Sequence, residues 1–418
     1  MSGPAETGMV AGMVAGMVIV GAGQGGLQVA ESLRAEGYDG PITLIGEEPF
    51  LPYHRPPLSK AMLAGAMEEA QLAIRGADVF ERQRIGLLTG TRVVAIDRLA
   101  RRVRLEDGRS LEYRGLALAT GSRLRPLPVP GGDLDGVLGL RSLDDARRIR
   151  AALDGAARVV VIGGGYIGLE VAAAARKRGL EVTVLEAADR LLARSATPFL
   201  AAFYADLHRS QGVTVELGTR LAGLDGQGGR VTAVRTADGR SLPADLVIVG
   251  IGVIPNTALA EGCGLPCEHG ILVDDCARTG DPAIVAVGDC TARHVGDGGA
   301  LLRLESVQNA VEQGKSAAAA LLGRDRPFTA PPWFWSDQYD VKLQIVGLSA
   351  QHDRMVLRGS PADRRFSAFY FHEGVLVAID SVNRPADHMV GRKLLDRKAA
   401  LTPEQAADEG FSLASLAR

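Results

Sequence analysis

Residues 17–48 read MVIVGAGQGGLQVAESLRAEGYDGPITLIGEE, and few folds accept that order. Val18, Ile19 and Val20 form a short apolar, β-branched run suited to a parallel strand buried on both faces. Gly21, Gly23 and Gly26 follow in G-x-G-x-x-G spacing. The first permits the tight turn, the second lets a pyrophosphate approach the backbone, and the third lets the helix pack on the strand. Residues 24–35 continue as that helix, whose N-terminal amides and dipole suit an anion. Residues 42–45 are the next strand, and Glu47 stands about 20 residues past the last glycine, where a ribose hydroxyl takes a carboxylate. The glycine spacing alone also fits a tight structural turn. Strand, helix, strand and terminal acid together predict a bound dinucleotide.

The pattern occurs twice. Residues 159–162 are a second strand, Gly163, Gly165 and Gly168 a second set of glycines, residues 169–178 a helix, and residues 181–185 a strand closed by Glu186. An acid there hydrogen-bonds the ribose diol and repels a 2′-phosphate, which favours NAD over NADP; Arg190 nearby is the counter-argument. VRLEDGRSLEYRGLALATG (103–121) also lines up with VRTADGRSLPADLVIVGIG (234–252). The chain is therefore α/β, with two Rossmann-like dinucleotide-binding domains in tandem.

Between and after these units the punctuation changes. Pro56-Pro57 forbids helix and fixes an extended entry, with helix expected over 58–64. Arg55 and Lys60 sit on that stiff turn, either as surface cations or as phosphate or flavin contacts. Residues 116–121, LALATG, end β-structure in small residues that let something approach the backbone. Residues 283–289, AIVAVGD, are a buried strand whose terminal Asp289 faces the ligand crevice of a doubly wound sheet. A helix is expected over 303–322. From residue 331 a tryptophan-rich segment, alternating strands (341–346, 355–358, 366–371, 375–379) and a helical tail read as a separate α+β domain. The expected domains are 1–124 with 257–330, 125–256, and 331–418, the proline-rich 126–130 marking one boundary.

The net charge of −2 gives no reason to expect nucleic acid or an anionic membrane. Cys263, Cys267, Cys276 and Cys290 are too few and too clustered for a disulfide framework, which points to a reducing, cytoplasmic setting. Cys263, Cys267 and His269 match no zinc spacing, so no metal is expected. No cysteine precedes Cys263, and all four are expected away from the glycine turns, which excludes a redox disulfide beside the first dinucleotide. Residues 7–30 carry no charge, but seven glycines interrupt them and no basic segment precedes them. The repeated Gly-Met-Val-Ala reads as a floppy leader, with the translation start open within residues 1–17.

The two fingerprints, the Ala119-Thr120-Gly121 turn and the late Gly288-Asp289 resemble the two-dinucleotide flavoproteins of glutathione-reductase type. RPPLSK (55–60), GGGYIGLE (163–170), VGDC (287–290), ESVQNA (305–310) and PWFWSDQY (332–339) resemble the oxygenase-coupled NADH:ferredoxin reductases more specifically. The resemblance runs from residue 17 to about residue 398, and PWFWSDQY is its branch-specific motif. It implies FAD on the first fingerprint (Gly21, Gly23, Gly25, Gly26), with further contacts at Glu47, Arg55, Val93, Ala119, Thr120, Gly121, Arg141, Asp289 and Val307. By the same resemblance Lys60 lies near the flavin N5, Asp289 binds the ribitol, and Trp335 packs beside the isoalloxazine. NADH is implied on Gly163, Gly165, Ile167, Gly168, Glu186 and Gly252, with Tyr166 and Glu170 flanking the nicotinamide and Glu305 near it. Read from the residues alone, the alternatives are a core aromatic for Trp335 and a dipole-complementing acid for Glu170.

The implied activity passes electrons one at a time from NADH-reduced FAD to a [2Fe-2S] ferredoxin, of acidic character, that serves a monooxygenase or dioxygenase. A rubredoxin reductase and a weakly catalytic NADH-binding relative of apoptosis-inducing factor are the alternatives. The enzyme is expected to be a monomer or weak dimer. Arg384, Arg392, Lys393, Arg397 and Lys398, against Asp387 and Asp396, form either part of the ferredoxin-docking face with Trp335 or a solvated helix face.

Overall fold

Val18 and Val20 point to one face of the first strand and Ile19 to the other, and both faces are covered by separate apolar clusters. A strand with that pattern belongs in the middle of a parallel sheet. A computed structural model describes residues 15–295, 299 and 301–417. The expected leader, residues 1–14, lies outside the described residues. The first strand is Gly16–Val20, paired in parallel with Ile42–Ile45 on one side and Ser110–Leu118 on the other. Ile85–Leu88 and Ile284–Ala286 extend this parallel sheet at either end. The start of Ser110–Leu118 also pairs antiparallel with Arg102–Leu105, and that strand with Val93–Asp97. The helices Gln24–Ala35 and Val307–Leu321 cover the Ile19 face.

The second unit repeats the plan. Arg158–Ile162 lies between Glu181–Leu185 and Leu246–Val249, all parallel, with Thr214–Glu216 and Val137–Gly139 at the ends. Its meander is Leu221–Gln227, Arg230–Thr236 and Ser241–Pro243. The internal repeat is visible in this comparison. In the first unit one strand runs unbroken from meander into parallel sheet, whereas Pro243, lacking an N–H, ends the equivalent strand, and Leu246–Val249 starts afresh. The C-terminal sheet is antiparallel in the order Trp333–Gln338, Val341–Gly347, Val375–Val382, Arg365–His372, Arg354–Ser360. The helix Pro385–Asp396 packs on it, its Leu394 joining Val346, Phe369 and Ile379 of the sheet in one apolar cluster. Buried Arg358 holds the segment that follows by donating to the carbonyls of Ala406, Asp408, Glu409 and Phe411.

The described residues divide into two compact units: those up to Tyr53, Ile74–Gly121 and Pro255–Phe328 form one; His54–Ala73, Ser122–Ile254 and those from Thr329 onward the other. Among the described residues no helix is long and apolar enough to cross a membrane.

Two local expectations fail, the first because the helix expected over 303–322 begins only at Val307, behind its Ser306 cap. Pro56–Ser59 is a 3-10 helix, and residues 60–65 are turns where a helix was expected over 58–64. The two prolines occupy the first helical positions, where no N–H is needed and φ is already set. Lys60 then leaves helical geometry at φ −121° and ψ −102°, which stops propagation.

Candidate functional site

The first glycine turn is shaped by what a side chain would strike. Gly21 has φ +112°, and a Cβ on it would lie 2.1 Å from the carbonyl oxygen of Ala119. A Cβ on Gly26 would lie 1.9 Å from the Gly21 carbonyl oxygen. Gly23 opens instead on free space and begins the helix without any side-chain cap. The helices that begin after Ser142, Thr197 and Ser306 all have a hydroxyl on their first amides. Uncapped amides beside an open glycine fit a pyrophosphate, which accepts those N–H bonds and sits at the positive end of the helix dipole.

The neighbouring turns of the first unit converge on the same strand ends. Ala119 donates its N–H to Val20 at 2.7 Å, and Thr120 is held by reciprocal bonds with Asn256 at 2.7 and 2.9 Å. Gly288, at φ +80°, turns the chain before half-buried Asp289, and its N–H is accepted by Gln313 at 2.7 Å. Gly25 lies inside the first helix against Val287, and Val307 opens the helix that packs beside it. Glu47 is exposed just past the second strand, 3.6 Å from Arg92. Val93 is buried in its strand, and Glu305 is exposed and paired with Arg303 at 2.6 Å. Asn256 and Gln313, which fix two of these turns, carry no motif and were not anticipated.

Cys290 corrects the expectation that all thiols stand clear of the turns. Its Sγ lies 3.7 Å from the Leu118 carbonyl, beneath the Ala119–Gly121 turn. It is wholly buried, and burial pushes its thiol up, as it does those of Cys263 and Cys267. All four cysteines are unpaired thiols. A buried, protonated thiol is a weak nucleophile.

The second turn follows the first. Gly163 has φ +102° with the Gly250 carbonyl 2.5 Å from where a Cβ would be, and Gly165 begins the helix Tyr166–Lys177 uncapped. Gly168 has the close approach to Gly163 that its counterpart Gly26 shows. Glu186 accepts the Gly164 N–H at 2.6 Å and the Ala188 N–H at 2.8 Å, so the acid also fixes the turn. Gly252 has φ +95° at the neighbouring strand end, and Ile167 exposes its apolar side chain on the helix's first turn. Arg190 is held at 3.2 Å by the Ala193 carbonyl and at 3.4 Å by Asp189.

One turn further along this helix stands Glu170, 4% exposed. Its Oε2 accepts from Lys60 Nζ at 2.7 Å and from the Ser59 hydroxyl, and its Oε1 from Ser336 at 2.6 Å. Lys60 also reaches the Pro56 carbonyl at 3.3 Å, so the 3-10 helix aims the ammonium at the carboxylate. The same segment is anchored through Arg55, which donates to the Arg141 carbonyl at 2.7 Å, while Arg141 donates to the Ser122 carbonyl. Phe334, Ser336 and Gln338 alternate onto the face that meets this helix; Phe334 packs on Tyr166 at 4.7 Å between ring centroids. Burial pushes the Tyr166 phenol far up. Trp335 points the other way, 5.6 Å from Trp333, whose ring lies under the Arg392 guanidinium at 4.8 Å.

Known proteins resemble this chain in sequence and fold. The family model for pyridine nucleotide-disulphide oxidoreductases matches residues 16–314, most of the chain. The chain belongs to that family. A second model, for the reductase C-terminal domain, matches residues 333–417. Rhodocoxin reductase of Rhodococcus erythropolis is 48% identical over 397 residues, 95% of this chain and 93% of that protein. The crystal structure of the ferredoxin reductase for the CYP199A2 system of Rhodopseudomonas palustris superposes with a TM-score of 0.94 at 48% identity, over 97% of this chain and all of that one. The covalent putidaredoxin reductase–putidaredoxin complex gives a TM-score of 0.92 at 45% identity, over 96% and 98% of the two chains. An α/β oxidoreductase of glutathione-reductase type, with an added C-terminal domain, is the architecture common to all.

Proposed function

We infer that this chain is an FAD-dependent NADH:ferredoxin reductase that delivers electrons singly to a [2Fe-2S] ferredoxin serving an oxygenase. The observation that carries the reading is the pair of uncapped glycine turns in a chain that matches such reductases over 95–97% of its length. FAD, when bound, supplies the conversion of a two-electron hydride donor into a one-electron donor. The chain's own residues bind and orient. Gly21, Gly23 and Gly26 cradle the FAD pyrophosphate and Glu47 its ribose, with the Ala119–Gly121 and Gly288–Asp289 turns shaping the rest. Gly163, Gly165 and Gly168 do the same for NADH, and Glu186 takes the ribose diol. Lys60 and Glu170 form a fixed ion pair that orders the nicotinamide end, Tyr166 closes one side of it, and Glu305, Val93, Arg55, Arg141 and Val307 keep the roles that the resemblance implies.

Trp335 and the exposed Arg392 and Lys393 face the acidic ferredoxin. Arg384 drops out of that surface, because it is tied to Asp387 at 2.5 Å and Glu409 at 2.6 Å. The enzyme works in the cytoplasm and divides into an FAD-binding domain, an NADH-binding domain and a C-terminal domain on the ferredoxin side. NADH-dependent reduction of cytochrome c, required to depend on an added [2Fe-2S] ferredoxin, tests the reading. Equal turnover without ferredoxin would remove it.

A further inference from the structure

Glu170 is the end of a longer buried chain. From it, Ser336 Oγ leads to Gln338 Nε2 at 3.1 Å, Gln338 Oε1 to His208 Nε2 at 2.8 Å, and His208 Nδ1 to the Tyr339 hydroxyl at 3.2 Å. Ser336 and His208 are wholly buried and Gln338 is 1% exposed. None of these residues carries a role in the reading above.

Chemistry fixes the direction of every bond, starting from the carboxylate. Glu170, ion-paired to Lys60, only accepts, so Ser336 spends its hydrogen on Oε1. The Ser336 oxygen must then accept, which requires the amide nitrogen of Gln338 and turns its carbonyl toward His208. That carbonyl only accepts, so the ring carries its proton on Nε2. Burial holds the His208 ring below the usual imidazole range, which leaves Nδ1 bare to accept from Tyr339. Four donors thus point one way, Tyr339 to His208 to Gln338 to Ser336 to Glu170. Aligned hydrogen bonds polarise one another, and a dry interior strengthens the effect.

We propose that His208 and Gln338 are positioning residues that hold Glu170 Oε1, through Ser336, in the orientation that hydride transfer from NADH requires. Glu170 has two acceptors to place. Lys60 and Ser59 hold Oε2, and Ser336 holds Oε1 with its own direction set from behind. The proposal rests on the reading that Lys60 and Glu170 lie at the nicotinamide. The chain's sequence signal is slight: two polar residues, Ser336 and Gln338, on the inward face of a strand, and a histidine on a remote helix, Pro198–Ser210.

The test is rapid-mixing reduction of the holoenzyme by NADH, with NAD⁺ affinity for the oxidised holoenzyme and the flavin's visible spectrum recorded beside it. Gln338→Met and His208→Leu should each slow the first-order reduction about tenfold, because each leaves buried polar atoms without partners. NAD⁺ affinity and the spectrum should stay as in the wild type. His208→Gln, whose amide nitrogen replaces Nε2, should restore the rate. Nitrogen NMR of the oxidised enzyme, with His208 assigned by its loss in His208→Gln, should show the Nε2–H tautomer. Unchanged reduction in the Met and Leu variants, while Glu170→Gln is slowed, would overturn the proposal alone. So would loss of NAD⁺ affinity in proportion to rate, or an Nδ1–H tautomer, and the tautomer decides if neither variant folds. Unchanged reduction in Glu170→Gln would overturn the underlying reading instead.

Discussion

Replacing Glu186 by alanine should narrow the preference for NADH mainly by harming NADH. On the proposed reading the carboxylate does two jobs. It accepts the Gly164 and Ala188 N–H groups at 2.6 and 2.8 Å, and it would meet the ribose diol or 2′-phosphate of the bound nucleotide. A hydrogen bond to a charged group contributes about 1.5–3 kcal/mol when dry, but Glu186 is half-buried and water replaces part of it. Loosening the turn and losing the diol contact together should cost NADH roughly 1–2 kcal/mol, about tenfold in kcat/KM. NADPH suffers the same loosening but escapes repulsion between carboxylate and phosphate. At about 5 Å and an effective dielectric between 20 and 80 that repulsion is on the order of 1–3 kcal/mol. The two effects offset, so NADPH turnover should change by less than about threefold, and an NADH preference of at least about tenfold should nearly vanish. Steady-state ferricyanide reduction with each nucleotide measures the ratio. A ratio that stays at the wild-type value in Glu186→Ala would show that Glu186 does not set the preference.

Serine at all four cysteines should leave NADH-dependent electron transfer intact, and reduction should show no thiolate–flavin charge-transfer band; loss of flavin reduction would reveal a redox thiol. Burying a hydroxyl at Cys290 should cost about 1–3 kcal/mol, read in a denaturant melt. Arg392→Glu with Lys393→Glu should raise the ferredoxin KM several-fold, more at low salt, and spare ferricyanide reduction, with Lys393→Glu alone as the control because Arg392 also stacks on Trp333. Burial pushes Asp380 up to about 7, against the opposing bond from Tyr370. Its folded pKa exceeds its unfolded one, so the folded state holds the extra proton. That stability is present below about pH 4 and lost as pH rises through 7. Asp380→Asn should therefore raise the melting temperature by several degrees near pH 8, clearly less near pH 5 and hardly at all below pH 4; an equal effect at all three would contradict the assignment.

The glycine turns were legible because steric demand leaves a trace in composition. Gly21 and Gly163 need both positive φ and an absent Cβ, and no other residue supplies them. The parallel strands were legible for a related reason, since burial on both faces requires unbroken apolar runs. The Lys60–Glu170 pair was foreseen only as two separate residues, because partners 110 positions apart in sequence give no sign of contact. Gln338 and His208 were not foreseen. A buried amide and a buried imidazole look like any surface polar residues until the fold closes over them. The same applies to Asn256 and Gln313, whose partners are backbone groups in distant turns. Pro56 misled in the opposite direction: proline excludes a helix interior, yet its missing N–H and fixed φ suit a helix start.

In the proposed reaction two electrons enter from NADH and leave one at a time to an iron–sulfur protein. The direct measurement mixes one equivalent of NADH with the holoenzyme, then follows the absorbance of an added oxidised [2Fe-2S] ferredoxin without oxygen. Two ferredoxins reduced per NADH, at a rate that falls with ionic strength, is the predicted result. Reduction of the flavin by NADH with no transfer to ferredoxin, or with transfer to a disulfide instead, would contradict it.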